Sequence, residues 1–248
     1  MKSIIVCEGE TDFAFLQHFM IRVNGWVDRR NSKEIKNPSF TSSVNNSESR
    51  DFEKGSDILT IISCGGCGNI KTVVGEIIRR NQNEVFEDAR YSKIVILTDN
   101  DEDGVEERII SDLSSASGVT DKISNNTWAK LSFVDMAENP FDTELLLLII
   151  PFEEHGALET FLLESVAKQD AYDAKIIEKS NAFVDNADPE KRYLIHRGFK
   201  TKAKLYAYFS IRIDYTPNQL KQRKEILTNI PWGEYENIQE SFKELRKL

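Results

Sequence analysis

The sequence is short of cysteine, of positive charge and of long apolar runs, and each shortage excludes something. Three cysteines are an odd count, with only Cys64 and Cys67 close together. That argues against a disulfide framework and for reduced thiols in the cytoplasm. No apolar run reaches the ~18 residues a membrane helix needs; the longest, LLLLIIPF at 145–152, stops early and carries a proline. The opening MKSIIVCEGE turns acidic within a few residues, so it is too short for a secretory signal and reads as a first β-strand. Lys and Arg number 32 against 41 Asp and Glu, a net charge of −9. Such a balance argues against a surface built for unassisted nucleic-acid binding.

What is present reads as a globular chain. With 248 residues, 40% hydrophobic and 29% charged, it is long enough for one large domain or a core domain with an appendage. The charge is uneven: residues 190–248 hold 13 Lys/Arg and 7 Asp/Glu, giving +6, while 1–189 carry −15. An acidic front suits metal binding and a basic tail suits polyanion contact; two solvated helical faces explain the same split.

Strand and helix patterns alternate through the first half. KSIIVC is a strand, followed by a tight turn and a helix in which Phe13, Leu16, Phe19 and Met20 have helical spacing, with Thr11 or Asp12 placed to cap it. Residues 28–57 are polar and rich in Ser and Asn, a long loop or insertion. DILTIISC is a second strand, and GGCGNIKTVVGEIIRR a glycine-rich turn running into a helix. YSKIVILTD is a third strand, apolar throughout as in a parallel sheet covered on both faces. A helix with Val105, Ile109, Ile110 and Leu113 inward follows, then the strand AKLSFVDM. FDTELLLLIIPF fits a fifth strand or a buried helix equally. Beyond 155 the pattern is helical, with segments at 156–170, 171–184, 200–213, 216–230 and 235–248. This order predicts an α/β fold: residues 1–152 as a core with a mainly parallel sheet of four or five strands, and 153–248 as a helical C-terminal extension.

The chemistry is expected at the carboxyl ends of the strands, where ligands gather in open parallel sheets. The first strand delivers Glu8, with Asp12 just beyond. The second delivers Gly65, Gly66 and Gly68, whose backbone can approach an anion closely. The third delivers the acidic run DNDED, with Asp99, Asp101 and Asp103. If these strands are neighbours, the carboxylates converge, and an all-oxygen set without His or Cys suits Mg²⁺ or Mn²⁺. A solvated turn is the competing explanation for Asp99 and Asp101, and helix capping for Asp12 and Asp103. The Cys64/Cys67 pair lacks the further ligands a zinc site needs and is read as part of the turn. His18 reads as structural and His155 as a surface residue. His196 lies in a stretch where Arg192, Arg197, Lys200, Lys202 and Lys204 interleave with Tyr193, Phe199, Tyr206 and Tyr208. That pattern suits a grip on a single strand; an amphipathic helix with core-facing aromatics explains it too, and is favoured for Tyr206 and Phe209.

The order EGETD, glycine-rich turn, DNDED resembles the Toprim domain of topoisomerases, primases and related nucleases, over roughly residues 1–140. The Glu8–Asp12 spacing is similar to the nuclease branch, including the overcoming-lysogenization-defect type. PFEEHGALETFLLE and FKTKAKLYAYF resemble small stand-alone Toprim-like proteins of unassigned function. The resemblance implies Mg²⁺ or Mn²⁺ held by Asp99 and Asp101, with Glu8 as general base or further ligand and Asp12 completing a second metal position. It also implies Glu159 as a distal carboxylate and Lys202 as a phosphate-binding cation. The implied reaction is phosphodiester hydrolysis on DNA or RNA. The sequence shows no strand-passage domain, and no ATPase domain such as larger nuclease-branch members carry. The alternative is therefore a catalytically silent metal- or nucleic-acid-binding subunit acting with a partner such as an ATPase. A receiver-type domain phosphorylated on Asp99 fits poorly with the 28–57 segment and the large helical tail.

Overall fold

Three short runs of β-branched and apolar residues, SIIVC, ILTII and IVIL, form the centre of the sheet. In the computed structural model they are β1 (Lys2–Cys7), β4 (Asp57–Ser63) and β5 (Lys93–Asp99). The structure describes residues 1–31, 37–117, 123–152, 155–212, 227 and 229–248; the helix expected over 216–230 falls largely outside them. The other strands are β2 (Val27–Asp28), β3 (Glu48–Lys54), β6 (Trp128–Val134) and β7 (Pro140–Ile150). The helices are α1 (Glu10–Arg22), α2 (Ile70–Asn83), α3 (Val105–Ser117), α4 (Leu158–Gln169), α5 (Ala171–Ala187), α6 (Arg197–Arg212) and the short α7 (Glu236–Ser241).

The sheet has seven strands in the order β2-β3-β4-β1-β5-β7-β6. Four central strands, β4, β1, β5 and β7, are parallel, whereas β2/β3/β4 and β6/β7 pair antiparallel. The sheet is thus larger than the four or five strands expected, with antiparallel wings on a parallel centre. One extra strand lies inside the polar segment 28–57, which is therefore not a single loop. β3 was masked by its charge: ESRDFEK buries Asp51 beside Phe52. Burial of that carboxylate is compensated by hydrogen bonds from Ser39 N–H (2.7 Å), Ser39 Oγ (2.5 Å) and Thr60 Oγ1 (2.7 Å). The ambiguous apolar run near 145 is a strand. Leu145, Leu147 and Ile149 enter one core and Leu146, Leu148 and Ile150 the other, so both faces are covered and no alternation marks it.

Each face has its own cover. Ile70, Val73, Val74 and Ile77 of α2 and Val105, Ile109 and Leu113 of α3 pack on one side. On the other side Phe13, Leu16, Phe19 and Met20 of α1 meet α4, α6 and the C-terminal segment. Phe15 stands 5.8 Å from Trp232 and 5.2 Å from Phe242 between ring centroids. The C-terminal helices therefore share the sheet's core.

Candidate active site

β1 lies between β4 and β5, so the chain leaves β1 to one side and, after β4, crosses to the other. Helices then leave the two strands on opposite faces, and a crevice opens at their carboxyl ends. In this register Cys7 is opposite Leu97, which places Glu8 against Thr98 and Asp99. Glu8 Oε1 accepts hydrogen bonds from Thr98 Oγ1 and, at 3.2 Å, from the Asp99 N–H. Asp12, in the first turn of α1, accepts from the Gly9 N–H at 2.8 Å through Oδ2; the N-cap is Gly9, not Thr11 or Asp12, and Asp12 closes the capping box on it from the third helical position. Asp99 Oδ1 accepts from the Leu158 N–H at 2.9 Å. That bond seats the start of α4 on the end of β5 and brings in the next residue, Glu159.

One cavity of about 200 Å³ is lined by Glu8, Gly9, Thr11, Asp12, Gly65, Gly66, Asp99, Glu159 and Lys202. Seven residues singled out in the sequence therefore meet, from five chain segments. Two do not line it. Asp101 is exposed, and its carbonyl accepts from the Arg197 guanidinium; Gly68 lies in the following 3-10 turn, Cys67–Asn69. The glycine turn also differs from expectation. The Gly66 N–H donates to the Glu8 carbonyl at 2.8 Å, so it ties the turn to β1 and is not free for an anion. Gly65 has φ +71°, and a Cβ there would stand 3.3 Å from the Asn45 carbonyl oxygen; the turn needs its glycine. Asp103 does not cap α3 but faces His155 Nε2 at 3.0 Å on the surface.

The electrostatics are those of crowded carboxylates. Four acids line the cavity, and Lys202 is its one cationic side chain among the described residues. Burial, reinforced by Glu159, pushes the Asp12 carboxyl up to about 8. Burial, then Asp12 and Glu8, pushes Asp99 up to about 9. Burial also raises Glu8, partly offset by its bonds from Thr98 and Asp99. Glu159 is only 3% exposed and accepts no hydrogen bond from a described residue. Cys64 is pushed up to about 12 and Cys7 is raised as well, both by burial first, so neither thiol is poised as a nucleophile.

Two observations bear on a cation. As the side chains stand, no group of three or more His, Cys, Asp or Glu among the described residues forms a ready-made ion site. Glu8, Asp12 and Asp99 each have one oxygen drawn towards a protein donor. Their second oxygens and Glu159 remain as hard donors around one cavity, and the donor chemistry fits Mg²⁺ or Mn²⁺. Sequence reasoning missed Thr98 and the Leu158 N–H, which hold two of the acids. Nothing marks Thr98 except its place before Asp99. Asn100 was also missed: it takes the Gly156 N–H on its carbonyl at 2.7 Å and donates its amide to the Pro151 carbonyl at 3.0 Å, stapling β5 to the approach to α4.

Fold and crevice together define a mixed α/β protein with a parallel-centred sheet and an acidic site at its switch point. The chain belongs to the DUF3226 family, described as proteins of unknown function, whose model matches residues 2–245. No curated protein matches it. It is similar to the crystal structure of hypothetical protein PH0156 from Pyrococcus horikoshii OT3, at 16% identity and a TM-score of 0.54, over 98% of each chain. At that identity the likeness concerns the fold. Among the described residues no helix is long and apolar enough to cross a membrane.

Proposed function

We propose that this is a Toprim-like, Mg²⁺- or Mn²⁺-dependent phosphodiesterase acting on DNA or RNA in the cytoplasm. The observation that carries the reading is the convergence of Glu8, Asp12, Asp99, Glu159 and Lys202 on one cavity at the switch point. Glu8, Asp12, Asp99 and Glu159 are the residues that would hold the cation, with Asp101 close by in sequence. When bound, the ion would supply Lewis acidity and an activated water for attack on phosphorus. Lys202 places a positive charge where a phosphate would enter an otherwise acidic cavity. Thr98 orients the Glu8 carboxylate, and its bond leaves Oε2 as the oxygen able to accept a proton from water. Gly65 lets the turn after β4 approach the same space, the form in which a phosphate-facing role is retained for it.

The test pairs cleavage with metal binding. Labelled single- and double-stranded DNA and RNA are incubated with the protein and Mg²⁺ or Mn²⁺, alongside Glu8→Gln and Asp99→Asn. Cleavage by the wild type that falls ~10²-fold or more in each variant is the expected result. No cleavage of any substrate with either ion overturns the reading. The alternative is a silent metal- or nucleic-acid-binding subunit of an ATPase or other partner. Cleavage that emerges only when a co-purifying partner is restored would establish it.

A further inference from the structure

The surface beside the cavity narrows the substrate, an inference that rests on the phosphodiesterase reading. We propose that α6 and the turn before it form a platform for single-stranded nucleic acid, with Tyr193 and Phe199 stacking on unpaired bases and Lys202 leading the backbone into the cavity.

The aromatic residues of this region divide into two groups. Tyr208 and Phe209 are buried in the core, whereas Tyr193 is 78% and Phe199 55% exposed. Leaving such rings in water is unfavourable for the isolated fold and suits a surface that something planar covers. Phe199 and Lys202 are three residues apart on α6, hence neighbours on its surface, and Lys202 lines the cavity. Tyr206, one turn further on and 36% exposed, continues the row. The start of the helix is tied to the site, because the Arg197 guanidinium donates to the Asp101 carbonyl two residues past the end of β5.

Charge complements this arrangement. Between Asp188 and Arg212 the sequence has seven Lys/Arg against two acids, in a chain of net −9. Lys200 and Lys204 are held by Asp185 at 2.8 and 2.9 Å, and Arg192 by Glu190 at 3.1 Å. Lys191 and Lys202 have no carboxylate partner among the described residues, so they are available to phosphates, whereas Arg197 is engaged by the Asp101 carbonyl.

Two arguments favour a single strand over a duplex. A ring stacks only on a base whose face is uncovered, and duplex bases cover one another. Asp12 and Glu159 are also recessed, 6% and 3% exposed, in a cavity of about 200 Å³. A flexible strand can bend its backbone into such a space; a rigid helix cannot.

The experiment measures anisotropy of labelled oligo(dT), oligo(U) and a matched duplex on the full chain in EDTA, so that binding is read without cleavage. The single strands should bind at least ~10-fold tighter than the duplex, more weakly as salt rises. Tyr193→Ala and Phe199→Ala should each weaken strand binding by roughly ten- to a hundredfold, with Phe199→Trp restoring it. Both side chains are mostly exposed, so the Tm of each variant should match the wild type. A duplex bound as tightly as the strands, or alanine variants with unchanged strand affinity, would overturn the platform. Hydrolysis of bis(p-nitrophenyl) phosphate by the wild type with Mn²⁺ reads the cavity alone. Its failure alongside aromatic-dependent strand binding would sink the phosphodiesterase and leave the platform standing.

Discussion

At the scale of single residues, the site is governed by carboxylates held close together in a buried place. A carboxyl whose folded pKa lies above its unfolded value favours the folded state while protonated. The stability it contributes is fully present below its unfolded value near 3.8 and is lost as pH rises towards about 8 for Asp12 and about 9 for Asp99. Without divalent ions, Tm is therefore expected to fall by ~5 °C or more between mildly acidic and alkaline buffer. Mn²⁺ should restore it, more strongly at alkaline pH, and Asp99→Asn should flatten the slope. A wild-type Tm that climbs through this window contradicts the crowding. Thr98 supplies a sharper test. Thr98→Val keeps the buried shape but removes the donor to Glu8, and should weaken Mn²⁺ binding about tenfold in calorimetry. Glu8 and Asp99 were legible because each follows an apolar strand. Thr98 was not, because its partner is 90 residues away in sequence and only pairing of β1 with β5 joins them.

At the scale of elements, the instructive case is β3. Its sequence, ESRDFEK, offers no apolar alternation, yet Lys54 and Asp57 close a hairpin around Gly55 and Ser56. Gly55 has φ +62°, the conformation a tight two-residue hairpin turn demands. The signal was the Gly-Ser pair next to a strand, outweighed by the polarity around it. Asp51 is the anchor of this wing. Asp51→Ala would strand Thr60 and Ser39 beside a half-satisfied Arg29, 3.5 Å away. The expected cost is about 2–4 kcal/mol in urea unfolding; a change within about 0.5 kcal/mol would show that the network is dispensable. The turn after β4 carries a parallel expectation. Gly65→Ala meets both the positive φ and the Asn45 carbonyl, so it should cost about 1–2 kcal/mol and reduce cleavage beyond that loss of stability.

At the scale of the whole molecule, the C-terminal helices are not an accessory. α4 and α6 bring Glu159 and Lys202 to a cavity whose other residues come from the first hundred positions, and Phe242 packs against Phe15 and Phe19 of α1. Core and site both span the chain, so unfolding should be a single cooperative transition in calorimetry. Phe242→Ala should lower the stability of the entire molecule by about 3–5 kcal/mol. Two separable transitions, one of them untouched by this substitution, would show that the halves are independent.

The sequence by itself determined the local matters: the central strands and their helices, because apolar periodicity reports burial directly, and the acidic residues at two strand ends. The tertiary structure alone decided which of those acids meet. Asp99 enters the cavity and Asp101 does not, a selection made by strand register and by the Leu158 N–H. It also decided that a polar stretch would become a strand, because the hydrogen bonds that compensate a buried Asp51 come from Ser39 and Thr60, partners that no hydropathy pattern can display.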